Sequence, residues 1–206
     1  MEARDWELVK DLLDRGEGLD FRDEGSGDTV AHMAVRYERL DVLKKCGDFI
    51  DEENGEAVTP LEMALYNNYA RIAHWLMDQN CKIRSGMLSY MPDFDRDDND
   101  ALLARLLNSG VDIHTPDEDG KYPIHHAASE RQVDMLVARG AQVDVLDNQG
   151  RYPMVTNVRT YRAEGAIIAL LKYAPCKAQV EQALRTAEAR EKHGLVTCLR
   201  IALEHY

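Results

Sequence analysis

A Gly-x-Tyr-Pro unit occurs twice in this chain, as "GKYP" at 120–123 and "GRYP" at 150–153, thirty residues apart. The flanks repeat with it. "GVDIHTPDEDGKYP" (110–123) and "GAQVDVLDNQGRYP" (140–153) both run from Gly through a β-type residue and an acidic turn to Gly, a basic residue and Tyr-Pro. "GDFIDEENGEAVTP" (47–60) has the same length and ends in Thr-Pro, and "GLDFRDEGSGDTV" (18–30) ends in Thr-Val. "RSGMLSYMPDF" (84–94) is a weaker copy with Met-Pro. The frame residues Thr29, Thr59, Met91, Tyr122 and Tyr152 are thus spaced 30, 32, 31 and 30. A catalytic site has no reason to recur at a fixed period, whereas a structural module does.

Each copy has the same local logic. Pro at the second frame position suits the first turn of a helix, and a Thr before it suits the N-cap. A short helix is predicted next, as in "LEMALYNN" and "IHHAASE", with Ala34, Ala64 and Ala127 admitting a close neighbour. A second, amphipathic helix follows: "ARIAHWLMDQ", "DALLARLLNS", "VDMLVARG" and "GAIIALLKYA" place apolar residues at i, i+3 and i+4. Gly47, Gly110 and Gly140 then stop that helix.

"DTVAHMAV" (28–35), "TPLEMAL" (59–65) and "DGKYPIHHAA" (119–128), with "ARGAQVDVLD" (138–147), resemble the ankyrin repeat. The family's hallmark is Thr-Pro-Leu-His-x-Ala-Ala followed by a Gly-Ala-Asp-type turn. The resemblance covers roughly residues 6–205 and is weakest at 85–109, and several copies are shorter than the family's ~33 residues. It implies an all-α solenoid of stacked helix-turn-helix units, with short β-turn or hairpin loops and polar terminal caps. The expected layout is one domain over 1–206: an N-terminal cap at 1–23, repeats near 24–53, 54–85, 86–116, 117–146 and 147–175, and a C-terminal cap at 176–206. It also implies that His32 and His125, each three after a frame residue, hydrogen-bond backbone of the neighbouring repeat.

Net charge is −12, unevenly spread: residues 1–120 carry 28 acids against 13 Lys and Arg, and residues 121–206 carry 9 against 12. An acidic field repels phosphates and anionic lipid and speeds encounter with basic partners, which disfavours nucleic acid and membrane. The N-terminus has acids where a signal peptide would be basic, and no apolar run approaches the ~18–20 residues of a membrane span. A cytoplasmic monomer is expected, or a protein delivered into a host cell if it is a microbial effector. Cys46, Cys81, Cys176 and Cys198 form no CxxC pair and read as small buried hydrophobes.

"DFDRDDND" (93–100) offers Asp93, Asp95 and Asp97 at calcium-loop spacing, but Asp98 stands where that loop needs Gly and Ala104 where it needs Glu. Those acids suit the start of the following helix, or an acidic loop offered to a basic partner. His126 faces away from His125, so the adjacent pair does not converge on a metal. Trp6 and Trp75 are expected in the core. With no nucleophile set, phosphate loop or HExxH, no catalytic residue, metal or cofactor is expected.

Stacked repeats present their turn tips and the exposed side of each first helix on a concave face. The candidate protein-binding residues are Asp28, Arg36, Tyr37, Glu56, Tyr66 and Asn67 in the first half, and Glu118, Asp119, Lys121, Glu130, Arg151 and Arg159 in the second. Tyr and Arg most often anchor interfaces, so Tyr37, Tyr66 and Arg159 lead, with Glu56, Glu118 and Asp119 steering. The expected function is a non-catalytic module binding a basic protein partner. The alternatives are an acidic inhibitor or immunity-type protein that blocks a basic enzyme or toxin, a microbial effector acting on host proteins and, last, a metal-dependent enzyme using segment 93–100.

Overall fold

The computed structural model describes residues 3–18, 20–84, 86–90, 97–159 and 164–206. The calcium-loop residues Asp93 and Asp95, frame residue Met91 and the start of segment 93–100 lie outside these. The chain divides into two compact units, Met1–Lys82 and Ile83–Tyr206. Among the described residues the regular elements are helices, with one isolated antiparallel bridge between Arg22 and Thr29.

The first unit holds α1 (Ala3–Asp14), α2 (Val30–Arg36), α3 (Leu40–Leu43), a 3₁₀ turn (Gly47–Asp51), α4 (Pro60–Tyr66) and α5 (Ala70–Asp78). α2 pairs with α3 and α4 with α5, while α2 packs on α4 and α1 lies against α3. Ala34 and Ala64 have no exposed surface and let the helices approach, and Val35, Val42, Leu43, Leu61 and Leu76 fill the space between them. Each such side chain contributes about 1.5–3 kcal/mol through burial.

The second unit holds a 3₁₀ turn (Met87–Tyr90), α6 (Asp97–Asn108), α7 (Pro123–His126), α8 (Glu130–Ala138), α9 (Pro153–Arg159), α10 (Glu164–Lys172), α11 (Lys177–Ala189) and α12 (His193–Leu203). First helices stack on first helices (α7 on α9, α9 on α11) and second on second (α6 on α8, α8 on α10). The fully buried Leu106, Ile124, Leu136, Met154, Ile167 and Leu170 run along that stack. At its end α11 and α12 pair, and buried Gln179 donates to Val143 O (2.9 Å) and Asp144 Oδ1 (2.8 Å) and accepts from Met154 N (3.1 Å).

The frame residues start the helices as expected. Thr29 Oγ1 accepts from His32 N (3.4 Å) while His32 Nδ1 accepts from Thr29 N (3.3 Å). Thr59 Oγ1 likewise accepts from Glu62 N (3.3 Å), and Glu62 Oε2 accepts from Thr59 N (2.8 Å). These are reciprocal capping boxes. Tyr122 makes no side-chain cap bond, and only the return half survives, from Tyr122 N to His125 Nδ1 (3.0 Å). α7 is shorter than "IHHAASE" predicts. Ser129 caps α8 by accepting from Gln132 N (3.2 Å), and Gln132 Oε1 accepts from Ala128 N (2.8 Å), so residues 127–129 serve the next helix instead. Trp6 is buried, as expected, whereas Trp75 is only half-buried.

Candidate functional site

The turns that precede α4, α7 and α9 share one geometry. Asn54, Asp117 and Asp147 each stand five residues before a frame residue. The Oδ1 of each accepts the backbone N–H of the residue before the frame, from Val58 (3.0 Å), Lys121 (2.8 Å) and Arg151 (2.9 Å). The same three residues donate their own N–H back to the carbonyls of Val58, Lys121 and Arg151. An Asx side chain thus closes these three tips from inside.

Neighbouring tips are also tied together. In the first unit Gly55 N donates to Ser26 O (3.0 Å), and in the second Asn148 N donates to Asp119 O (2.9 Å). Gly27 (φ 68) and Gly120 (φ 75) sit beside these bonds, where only a residue without Cβ fits: a Cβ would lie 2.6 Å from Gly55 N or 2.4 Å from Asn148 Oδ1. Under the tips the frame histidines act identically. His32 Nε2 meets Val58 O at 2.8 Å and His125 Nε2 meets Arg151 O at 3.2 Å, each 26 residues on. Burial is the main force lowering both imidazole pKa values from the ordinary 6.5. His126 turns to Asp117 Oδ2 (3.0 Å), so the adjacent histidines serve different partners.

These bonds remove some predicted binding residues from the surface. Asp28 is fully buried, because Arg36 and Asn54 Nδ2 (2.8 Å) claim its two carboxylate oxygens; it holds two tips together and is closed to a partner. Arg151 is clamped on Asp147, Nε to Oδ2 at 2.7 Å and Nη2 to Oδ2 at 2.6 Å. Lys121 is held at 2.6 Å by Asp119, whose carboxyl pKa falls below the usual range chiefly through that bond. Glu130, paired with Lys172, and Asn67, whose Nδ2 donates to Met63 O (2.8 Å), are engaged yet stay exposed.

The remaining candidates are open. Tyr66, at the end of α4, is 68% exposed. Tyr37, at the matching place after α2, is 47% exposed, with its ring edge-on to Trp6 at 5.5 Å. Arg36 stays half-open while paired to Asp28. Glu56, Glu118, Asp119 and Arg159 are exposed. Each unit therefore carries exposed acids on its tips and an exposed aromatic or basic residue ending a first helix. Sequence reasoning missed the Asx closures and the tip-to-tip bonds, although the five-residue offset from the frame signals the former.

Among the described residues no three His, Cys, Asp or Glu side chains gather to hold a metal ion. Among them no helix is long and apolar enough to cross a membrane. Cys46 and Cys81 are buried and burial pushes their thiols up to about 12, which makes them inert.

Like-on-like stacking of helical hairpins, with Asx-closed turns tied tip to tip, defines an all-α repeat scaffold. Residues 96–138 match the family described as ankyrin repeats (many copies). Neurogenic locus notch homolog protein 1 of Homo sapiens is 25% identical over 158 residues, 71% of this chain and 6% of that protein. Human neurogenic locus notch homolog protein 2 is 25% identical over 153 residues, 69% of this chain and again 6% of the relative. The chain thus spans a small fraction of these relatives' length. Among solved structures, a chain from the complex of a predatory endopeptidase of Bdellovibrio bacteriovorus with an immunity protein superposes with a TM-score of 0.63. It is 18% identical, and the match covers 82% of this chain and 92% of that one. The chain is thus similar to ankyrin repeat proteins, with the family match lying at residues 96–138.

Proposed function

We propose that this chain is a non-catalytic protein-binding module that holds a basic protein segment through the turn tips and first-helix ends of its repeats. One observation carries the reading: bonds within and between repeats consume the frame residues, yet Tyr66 and Tyr37 remain exposed where each first helix of the first unit ends. An exposed tyrosine offers a rigid amphipathic anchor, and Tyr66 leads because the Tyr37 ring also packs edge-on against Trp6. Steering would come from charge. Residues 1–82 carry 19 acids against 10 Lys and Arg, and Glu56, Glu118 and Asp119 stand exposed on tips. Charge of one sign raises the on-rate for an oppositely charged partner.

A second reading is supported by the likeness to a chain of an endopeptidase–immunity protein complex. On that reading the partner is an enzyme or toxin, and the acidic tips block a basic active site. Affinity capture by the wild type and by Glu118→Lys/Asp119→Lys, with mass spectrometry, tests both. Selective loss of a basic protein from the variant's capture supports the module, and a hydrolase among the lost proteins supports the inhibitor. Identical captures contradict binding through the tips and first-helix ends.

A further inference from the structure

Among the described residues of the first unit, α2 is the first of the first helices in chain order. α4 covers one side of α2, and on its other side, among the described residues, there is no first helix. α1 supplies none, because it lies against the second helix α3. Beside α2 on that side is a groove of about 210 Å³, walled by Val9, Leu12 and Leu13 of α1, by Phe21, and by Val30 and Met33 of α2. Phe21 is 47% exposed there, an unusual position for a large aromatic ring.

The rim is acidic. Residues 7–24 hold seven acids and three bases, and the three bases are engaged. Lys10 pairs with Glu7 (2.5 Å) and Asp41 (3.2 Å), Arg15 with Asp11 (2.6 Å) and more loosely with Glu17 (3.9 Å), and Arg22 with Glu52 (2.7 Å). Glu17 lines the groove, and Asp20 and Glu24, close to Phe21 in the chain, are exposed with no ion pair among the described residues.

We infer that this groove docks a basic amphipathic helix of a partner protein, seated on α2 as α4 is seated on its other side. The wall fixes the apolar contact, the vacant stacking position fixes the helical form, and the unpaired carboxylates fix the sign of the charge. α2 has seven residues, so it offers about 10 Å of contact, two turns at ~1.5 Å per residue. Two turns present apolar side chains at i, i+3, i+4 and i+7, with Lys or Arg at the flanks toward the rim. The apolar wall of this groove contains none of the tip or first-helix-end residues proposed above, so it stands whether or not those bind a partner.

The probe is a labelled helical peptide of roughly 14 residues, about four turns, with Leu on one face and Lys on the other, titrated by fluorescence anisotropy against the full chain. Saturable binding is expected, weakening as salt rises from about 0.05 to 0.5 M. Phe21→Ser and Met33→Gln should each weaken it roughly tenfold, Glu17→Lys/Glu24→Lys should weaken it and flatten the salt dependence, and Tyr66→Ala should leave it unchanged. Equal binding of a same-composition peptide with its apolar face scrambled, or of Phe21→Ser and Met33→Gln, would overturn the proposal. So would sedimentation showing self-association of the wild type that Met33→Gln abolishes, since a second copy would then occupy the groove. If an apolar-wall variant fails to fold, the Glu17/Glu24 reversal decides alone, and unchanged affinity and salt dependence reject the site.

Discussion

Gly27 and Gly55 meet backbone to backbone, so closely that a Cβ on Gly27 would lie 2.6 Å from the Gly55 nitrogen. Gly120 and Asn148 repeat the relationship in the second unit. Gly27→Ala and Gly120→Ala should each lose about 2 kcal/mol or more in urea unfolding, since a side chain is strained at positive φ and would meet the Gly55 backbone in one case and both the side chain and the backbone nitrogen of Asn148 in the other. Gly16→Ala, with a similar φ of 72 but nothing within 4 Å, should lose less. Equal losses at all three positions would mean the tips are not in contact.

The frame histidines should give the protein an acid-sensitive stability. His32 Nδ1 accepts from Thr29 N, and its Nε2 faces the Val58 carbonyl, so the neutral ring with hydrogen on Nε2 satisfies both sites. Burial lowers the folded pKa of His32 and His125 below 6.5, so the unfolded chain takes up protons first as pH falls. Their contribution is therefore full above about pH 6.5 and declines as pH drops through the folded values. Urea midpoints at about pH 7.5, 6.5 and 5.5 should fall in that order, and His32→Leu/His125→Leu should fall less steeply though from a lower start. The same slope in both proteins would contradict this.

The N-cap difference between repeats is measurable. Thr59→Ala removes an acceptor for Glu62 N and a donor to Glu62 Oε2, and should cost about 1 kcal/mol. Tyr122→Phe removes a hydroxyl that caps nothing and should stay within about 0.5 kcal/mol.

Thiol labelling of the native protein should distinguish two classes. Cys176 and Cys198 are part-exposed and should react, whereas Cys46 and Cys81, buried with thiols pushed up to about 12, should react only on unfolding. Rapid modification of Cys46 or Cys81 in buffer would contradict the packing of the first unit.

The period made the scaffold legible because packing requires the same residue types at the same offsets: a Thr cap, a buried Ala, and a His reaching 26 residues on to the next turn. The candidate surface was only partly legible. Asp28 looks like an exposed tip acid in sequence, and its burial depends on Asn54, which belongs to the following turn. Arg151 reads as a free anchor until its Asx turn folds it back onto Asp147. Neither fact follows from local pattern, because each depends on how two tips meet. Tyr66 was legible because its position at the end of α4 lies outside every packing role the period assigns.

The most direct test is calorimetric titration of a captured basic partner into the wild type, Tyr66→Ala and Glu118→Lys/Asp119→Lys at low and high salt. Tyr66→Ala should raise Kd roughly tenfold at unchanged Tm, and the charge reversal should weaken binding mainly at low salt. Three indistinguishable affinities with the same salt dependence would contradict binding through the tips and first-helix ends.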